Sequence, residues 1–227
     1  MIINQTKFRL QYITYSNEKF SHIDGAKFAL DGGCRWIQLR IKKYRSETEL
    51  LTVANELKDL CKKYDAIFLI DDYVELAKKI NADGVHLGKN DMLPSKAREI
   101  LGENKIIGGT ANTSEDIHFF ALQNVNYIGL GPFRFTTTKE NLSQILGIEG
   151  YTQIFSEIKK NISTKNIPIV AIGGITKDDV AAILKTGADG IAISSAILNA
   201  VNPTNETKAI IDEINKFNKL IEINKIN

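Results

Sequence analysis

Two apolar patterns alternate along most of the chain. Short runs that are apolar at nearly every position recur at fairly even spacing, as expected for strands of a parallel sheet that is covered on both faces. Longer stretches between these runs carry apolar residues at helical spacing. The eight predicted strands are Phe8–Thr14, Cys34–Arg40, Ala66–Asp71, Gly84–Gly88, Ile106–Thr110, Tyr127–Gly131, Ile167–Gly174 and Gly190–Ala196.

The clearest predicted helix runs over Ser46–Tyr64, with Ser46 as its N-cap and Glu49 completing a capping box. A second predicted helix, Lys177–Thr186, has Thr176 as its N-cap and ends at Gly187, where a glycine commonly follows a helix. The apolar stripe of the first helix consists of Leu50, Val53, Ala54, Leu57 and Cys61. Helices therefore separate the predicted strands.

Eight strands that alternate with helices in 227 residues predict an α/β fold, a (β/α)8 TIM barrel. The alternative is an open, doubly wound sheet. It is disfavoured because the first strand–helix turn lacks a glycine-rich dinucleotide motif, and eight units close naturally. No linker or shift in composition divides the chain, so residues 1–227 are expected to form a single domain with a helical C-terminal tail.

The composition is that of an ordinary globular protein, with 43% hydrophobic and 25% charged residues and a net charge of +2. Such a balance offers no electrostatic footprint for nucleic acid or a membrane surface. The two cysteines, Cys34 and Cys61, lack metal-site spacing, and no secretory or membrane-spanning segment is evident. We therefore expect a cytoplasmic enzyme or binding protein with neither nucleic acid nor a membrane as its partner, and a homo-oligomer is left open.

The most informative segment follows the sixth predicted strand, where a Gly131-Pro132 break leads to three hydroxyl residues and a lysine: Thr136, Thr137, Thr138 and Lys139. Backbone N–H groups, hydroxyl donors and an ammonium together suit a phosphate or diphosphate. The alternative interpretation is a solvated turn. The remaining strand ends decide between the two.

The second predicted strand ends in Gln38-Leu39-Arg40-Ile41-Lys42. Alternation along a strand directs Gln38, Arg40 and Lys42 to one side, while Leu39 and Ile41 face the other. Two cations and an amide can hold a diphosphate and a heteroaromatic ring. A basic surface turn is the alternative, because more basic residues follow.

Carboxylates follow the third and fourth predicted strands, at Asp71, Asp72 and Asp91. Mg²⁺ takes one or two protein carboxylates and leaves its other positions to water and phosphate oxygens. Asp72 and Asp91 are therefore the predicted ligands of one Mg²⁺ ion. Alternatively, Asp72 is the N-cap of a helix over Tyr73–Ile80.

His86 lies inside the fourth strand and is predicted to be a hydrogen-bonded core residue rather than a ligand or base. After the fifth strand, two glycines precede Thr110, whose hydroxyl could bind a ligand, although a plain turn is nearly as good an interpretation.

The seventh and eighth strands lead into Gly173-Gly174 and Ser194-Ser195, and the loops in these positions of a barrel frequently bind phosphate. Two small-residue turns are the alternative. Taken together, the rim would carry a site for a metal-bound diphosphate and a second site for a monophosphate. Two phosphorylated substrates, one with a good leaving group, indicate group transfer with release of pyrophosphate.

The same residues, in the same order, resemble the thiamine-phosphate synthase family over nearly the whole chain. The matching segments are Gln38–Lys42, Asp71-Asp72, His86–Asp91, Gly129–Pro132 with Thr136–Lys139, and Ala171–Ile175. The resemblance implies coupling of 4-amino-5-hydroxymethyl-2-methylpyrimidine diphosphate to a thiazole phosphate, giving thiamine monophosphate and pyrophosphate. A carboxylated thiazole would also lose CO₂.

The resemblance also implies residue roles. Arg40, Lys42 and Lys139 would be catalytic, and Asp72 and Asp91 would hold Mg²⁺. The pyrimidine diphosphate would be bound by Gln38, Leu39, Arg40, Ile41, Lys42, Asp71, Thr110 and Lys139. The thiazole phosphate would be bound by Thr136, Thr137, Thr138, Gly174, Ser194 and Ser195.

Some positions depart from the family pattern. Asp71 stands where the family usually has Asn, Thr110 replaces Ser, and Phe133-Arg134-Phe135 is unusual in its loop. A related thiazole tautomerase, the nearest alternative, typically uses a His where this chain has Asn112. A non-catalytic barrel that binds a phosphate ligand is the other alternative, and it would not require two carboxylates and Lys139.

Overall fold

The computed structural model describes residues 9–42, 46–138, 143–158 and 167–226, with side chains up to residue 220. Over these residues the chain forms a closed barrel in which every strand is parallel to its neighbours and β8 pairs with β1. The strands are β1 Leu10–Ile13, β2 Trp36–Leu39, β3 Ile67–Asp71, β4 Gly84–Leu87, β5 Ile106–Ala111, β6 Tyr127–Leu130, β7 Ile169–Ile172 and β8 Gly190–Ile193. The predicted (β/α)8 fold is thereby confirmed.

Helices alternate with the strands around the outside. They are α1 His22–Asp31, α2 Glu47–Lys63, α3 Val74–Ile80, α4 Pro94–Leu101, α5 Ser114–Leu122, α6 Gly147–Ile158, α7 Val180–Thr186, α8 Ser195–Leu198 and α9 Pro203–Ile226. The last helix contacts α1, α7 and α8, so the C-terminal segment covers the seam where the barrel closes.

Side chains fill the interior of the barrel, as parallel barrels of eight strands require. Trp36 and Tyr127 dominate the interior, with ring centroids 4.7 Å apart in an edge-to-face arrangement. The inner cluster consists of Ile13, Trp36, Leu69, Ile106, Tyr127, Val170 and Ala192. A larger apolar cluster lies between the sheet and the helices, so both faces of every strand are buried.

The helix ends follow from local sequence. Ser46 accepts a hydrogen bond from the Glu49 N–H at 3.2 Å, which confirms the predicted N-cap of α2. Thr176 caps a short 3₁₀ turn, Lys177–Asp179, that leads into α7. Gly187 follows α7 with a φ of +115°, a conformation that glycine adopts without strain.

Arg98, on α4, holds the end of the barrel where the strands begin. Its guanidinium donates to the carbonyl oxygens of Gly102 and Lys105, at 3.1 and 2.5 Å, and to Asn126 Oδ1 at 2.8 Å. Only 8% of the residue is exposed. This cation therefore satisfies acceptors from the segments before β5 and β6, far from the end where the strands finish.

Among the described helices, none combines the length and the apolar character that a membrane span requires.

Candidate active site

The polar residues identified from the sequence gather at one mouth of the barrel, where the strands end. They lie at or just after the ends of strands β2 to β8, and parallel strands in a closed barrel place all such ends together. This mouth carries Gln38, Arg40 and Lys42 from β2, Asp71 and Asp72 from β3, Asp91 after β4, Thr110 from β5, Thr136–Thr138 after β6, Gly174 after β7, and Ser194 and Ser195 after β8.

Asp72 is held in an unusual backbone conformation. Its φ is +64°, a left-handed value that costs a non-glycine residue about 1–3 kcal/mol and that tends to occur at functional sites. The conformation is fixed because the Asp72 N–H donates to the His86 carbonyl at 2.9 Å, while its own carbonyl accepts from Val74 N–H at 3.0 Å. The side chain is ion-paired to Lys42.

The alternative role of Asp72 as a helix cap is wrong. The N-cap of α3 is Tyr73, one residue later, and no side-chain capping bond is made there. The left-handed turn instead directs the Asp72 carboxylate to Lys42 and Asp91. Sequence alone could not separate these roles, because Asp is common both at N-caps and in metal sites.

Asp72 and Asp91 lie side by side and share a hydrogen bond. Burial, and then the bond to Asp72, raises the pKa of the Asp91 carboxyl. Burial opposes ionisation of Asp72 as well, but hydrogen bonds from Asp91 and Lys42 outweigh it and lower the pKa of Asp72. Without a metal, a proton between the two carboxyls therefore relieves their repulsion.

This pair fits a divalent cation. Two adjacent carboxylates are what Mg²⁺ usually takes from a protein, and a metal would replace the shared proton. Among the described residues, no group of three or more acidic, His or Cys side chains could enclose a metal. The protein would thus supply two ligands, and water and phosphate oxygens would complete the shell.

Asp71 lies deeper and connects the carboxylates to the cations. Its Oδ1 accepts from Gln38 Nε2 at 2.7 Å, and its Oδ2 lies 3.1 Å from Lys42 Nζ and 3.4 Å from Arg40 Nε. Burial, and then the neighbouring Asp72, raises the pKa of Asp71 to about 6. Lys42 and Arg40 act in the opposite direction, so the two cations only partly offset the cost of an Asp in place of the usual Asn.

The alternation predicted for β2 is confirmed. Gln38 faces the barrel interior and bonds to Asp71, whereas Leu39 and Ile41 are buried in the apolar cluster outside the sheet. Their side chains do not face the mouth, so only their backbone groups remain available to a substrate. Lys42 is exposed, so a ligand in solution can reach it.

Arg40 extends across the mouth. Its guanidinium donates to the Thr138 carbonyl at 2.9 Å, although β2 and β6 lie on opposite sides of the barrel. Its backbone is fixed by Thr14, whose Oγ1 accepts from the Arg40 N–H at 3.0 Å. The β2 end and the loop after β6 thus meet over the same space.

The loop after β6 brings its hydroxyls to this space. Thr136 Oγ1 and Thr138 Oγ1 are 2.9 Å apart and half-buried, while Thr137 is exposed. Lys139, which the sequence predicts to be catalytic, lies outside the described residues.

Arg134 attaches this loop to the one after β7, a role that the sequence did not indicate. Its guanidinium makes two hydrogen bonds to the Asp179 carboxylate, at 2.7 and 2.8 Å, and another to the Gly174 carbonyl at 2.8 Å. Gly174 has a φ of +67°, and a Cβ there would lie 2.7 Å from the Phe135 carbonyl. Glycine is therefore required where the two loops touch.

Ser194 and Ser195 are half-buried where β8 passes into α8. They stand beside the loop after β7 because β7 and β8 are paired neighbours. The sequence-predicted monophosphate residues are therefore on adjacent strand ends.

His86 is a buried structural residue, as the sequence predicts. Its Nδ1 lies 2.8 Å from the Tyr127 hydroxyl and its Nε2 lies 2.8 Å from Thr110 Oγ1. A Cβ at Gly108 would lie 2.3 Å from the Tyr127 ring and 2.6 Å from His86 Nδ1, so a glycine is needed at that position. This network fixes the Thr110 hydroxyl at the mouth.

Asn112 joins the two sides of the loop after β6. Its Nδ2 donates to the Gly131 carbonyl, and its Oδ1 accepts from Ser143 Oγ at 2.8 Å. Nearby, Lys89 is ion-paired to Asp116. The sequence marks Asn112 only as the position where the related tautomerase has a His. Its loop contacts could not be inferred from the sequence, because they involve residues 19 and 31 positions away.

Comparison with known proteins agrees with this geometry. Residues 10–197 match the family model described as thiamine monophosphate synthase, which spans all eight strands. The chain belongs to this family. It is 54% identical over 203 residues to the thiamine-phosphate synthase of Bacteroides fragilis, covering 89% of this chain and 98% of that protein.

Two further relatives extend the likeness. The thiamine-phosphate synthase of Bacteroides thetaiotaomicron is 53% identical over 203 residues, covering 89% of this chain and 96% of that protein. A solved structure of the thiamine phosphate pyrophosphorylase from Pyrococcus furiosus superimposes with a TM-score of 0.82 at 33% identity, covering 94% of this chain and 98% of the other. The barrel is therefore shared with a family member at 33% identity.

Proposed function

We propose that the protein is a transferase that joins 4-amino-5-hydroxymethyl-2-methylpyrimidine diphosphate to a thiazole phosphate. The products are thiamine monophosphate and pyrophosphate, with CO₂ released as well when the thiazole is carboxylated. Family membership across residues 10–197 supports the reaction class. The observation that carries the assignment is the joining of Arg40, Lys42 and three carboxylates at one mouth.

The diphosphate is assigned to the β2–β4 side of this mouth. Arg40 and Lys42 are positioned there by Asp71, whose Oδ2 faces both cations. When all are ionised, these two cations and three carboxylates carry a net charge of −1. This charge favours binding of a cation before binding of the anionic diphosphate. Asp72 and Asp91 would hold that cation, Mg²⁺.

Catalysis at this site is chiefly electrostatic. The C–O bond between the pyrimidine methylene and the diphosphate breaks first, and its electron pair leaves with the pyrophosphate. Arg40, Lys42 and the predicted Lys139 stabilise the negative charge that develops on the leaving group. Asp72 and Asp91 would hold Mg²⁺, which would neutralise part of the same charge as a Lewis acid.

The thiazole nitrogen then forms the new C–N bond to the pyrimidine carbocation. This step needs no general base, because the thiazole nitrogen carries no proton to remove. The absence of a base role agrees with the position of His86, which is buried between Tyr127 and Thr110. The principal demands are orientation of the two substrates and exclusion of water from the carbocation.

The thiazole phosphate is assigned to the loops after β6, β7 and β8. Thr136 and Thr138 supply hydroxyls, Gly174 supplies backbone, and Ser194 and Ser195 lie on the adjacent strand end. The Arg134 contacts to Asp179 and Gly174 hold the first two loops together. The two phosphate groups are thus bound on opposite sides of the mouth. The reacting ends of the two substrates then meet over the barrel.

The thiazole tautomerase alternative is disfavoured by Asn112. This residue is 9% exposed and is engaged with Gly131 and Ser143, so it stabilises a loop and has no acid–base role. A cytoplasmic location, a homo-oligomer, and the expectation of neither nucleic-acid nor membrane partners remain predictions from the sequence.

The test is incubation of the purified protein with both precursors and Mg²⁺, followed by chromatography. Equal amounts of thiamine monophosphate and pyrophosphate are expected. Isomerisation of the thiazole phosphate without coupling would favour the tautomerase, and binding without any product would favour a non-catalytic barrel. Either result would contradict the proposed function.

A further inference from the structure

The amide of Gln38 is locked in one orientation inside the barrel. Gln38 is 2% exposed and Asp71 is 7% exposed, and their side chains meet at the mouth end of β2 and β3. Gln38 Nε2 donates to Asp71 Oδ1 at 2.7 Å. Gln38 Oε1 is fully buried and has no hydrogen-bond partner among the described residues.

A carboxylate at position 71 permits only this orientation. An ionised carboxylate accepts hydrogen bonds and cannot donate them, so Gln38 must turn its NH₂ group towards Asp71. The second oxygen of Asp71 already faces Lys42 Nζ at 3.1 Å and Arg40 Nε at 3.4 Å. Because these three neighbours of Asp71 are all donors, the oxygen of Gln38 is left as an unsatisfied acceptor.

An unsatisfied buried acceptor destabilises the site and calls for a donor. An asparagine at position 71 would impose no such choice, since its side chain can present either NH₂ or C=O to Gln38. The difference between Asp and Asn at this position is thus a difference in what Gln38 can offer a ligand.

We propose that Asp71 is a positioning residue that holds Gln38 Oε1 as an acceptor for an exocyclic amine of the substrate ring. Asp71 thereby selects an aminopyrimidine over a ring that carries a carbonyl at the same place. This inference rests on the proposed function, because it takes the ring to be that of the pyrimidine diphosphate.

The selection follows from unfavourable pairing. A carbonyl in place of the amine would set two acceptors against each other in a buried site, and sites built around one donor reject ligands that lack it by large factors. In the Asp71→Asn variant, the Gln38 amide can turn over so that its NH₂ meets the carbonyl. The amide introduced at position 71 can then donate to Gln38 Oε1.

The experiment compares Asp71→Asn with the wild type in binding two non-reactive ligands. Both carry a methylene in place of the oxygen between ring and diphosphate; one has the amine and the other a carbonyl. Calorimetry in the presence of Mg²⁺ gives the ratio of the two dissociation constants. We expect the wild type to bind the amine ligand at least about 1,000-fold more tightly than the carbonyl ligand. In the variant this ratio should be about tenfold smaller.

The decisive sign is a gain of affinity. Asp71→Asn should bind the carbonyl ligand about tenfold more tightly than the wild type does, a change that a loss of structure cannot produce. Gln38→Met removes the acceptor and should bring the ratio close to one. The matched control is Gln123→Met, which removes another buried amide oxygen that lacks a hydrogen-bond partner among the described residues; it lies after α5, away from β2 and β3, and should leave the ratio unchanged.

The outcomes separate the two proposals. If the wild type binds the amine ligand but the ratio is the same in Asp71→Asn, the positioning role is refuted and the proposed function stands. If Asp71→Asn only loses affinity for the amine ligand, Asp71 contacts the amine directly and the inference is also refuted. If the wild type binds neither ligand, both proposals fail.

Discussion

Replacement of Asp91 by Asn should separate metal binding from folding. Asp91 Oδ2 accepts from the Gly88 N–H at 2.7 Å, and the carboxyl shares a hydrogen bond with Asp72. An asparagine retains an acceptor for Gly88 and brings an NH₂ donor for Asp72, so the local geometry is preserved. It removes one of the two negative charges that the metal requires.

The size of the effect follows from linkage. A ligand present at about ten times its dissociation constant stabilises a protein by about 1.4 kcal/mol. For a chain of 227 residues, this corresponds to a rise in melting temperature of roughly 3–6 °C. In Asp91→Asn, the rise on adding Mg²⁺ should fall below about 1 °C, and kcat/KM for coupling should fall at least about 100-fold.

Without metal, Asp91→Asn should be at least as stable as the wild type, because burial and the neighbouring Asp72 disfavour the charged form of Asp91. The assay is thermal unfolding with pyrophosphate present, first with a chelator and then with Mg²⁺. The control is Asp178→Asn, which removes a carboxylate after β7, away from the Asp72–Asp91 pair, and should change neither quantity.

A full Mg²⁺-induced rise in Asp91→Asn would refute the assignment of Asp91 as a ligand. Loss of stability in the chelated variant would refute the claim that burial and Asp72 disfavour the charged form of Asp91.

Three further predictions concern other parts of the molecule. Arg134→Ala should raise the KM for the thiazole phosphate about tenfold and leave the KM for the pyrimidine diphosphate unchanged. The unfolding free energy should change by less than about 1 kcal/mol, because the ion pair is exposed. Equal changes in both KM values would contradict this prediction. Arg98→Met should lower the unfolding free energy by about 3 kcal/mol in urea titrations, because buried carbonyls lose their donor, without changing kcat. With the pKa of Asp71 raised to about 6, the wild type should lose stability relative to Asp71→Asn as pH rises from about 4 to about 7 in chelator, and a constant difference would contradict that shift.

The fold was predictable because the information is local. Runs such as Tyr127–Leu130 and Gly190–Ile193 are apolar throughout, and their repetition eight times leaves few arrangements other than a closed barrel. The ends of the strands were less predictable. The predicted strand Ile167–Gly174 is observed as Ile169–Ile172, since the glycines at its end turn away at left-handed φ values.

The sequence was sufficient to predict which residues form the site, but not which contacts they make. Polar residues at strand ends identify Gln38, Arg40 and Lys42, because barrels place chemistry there. The left-handed turn at Asp72, and the bond from Gln38 to Asp71, depend on the register between neighbouring strands. The alternation of residues along one strand does not predict how that strand is paired with its neighbour.

The loop contacts were missed for a related reason. Arg134 is 45 residues from Asp179 in sequence, so nothing local marks it as the residue that joins two loops. Its only signal was that Phe133-Arg134-Phe135 departs from the family pattern.

The central claim is that Asp72, Asp91, Arg40 and Lys42 form one site for a metal-bound diphosphate. The direct measurement is a crystal structure with pyrophosphate and Mn²⁺, whose anomalous signal locates the metal. The account predicts one Mn²⁺ bound by both carboxylates and by pyrophosphate oxygens, with Lys42 in contact with the anion. Mn²⁺ at another place, or pyrophosphate held only by the loops after β7 and β8, would contradict it.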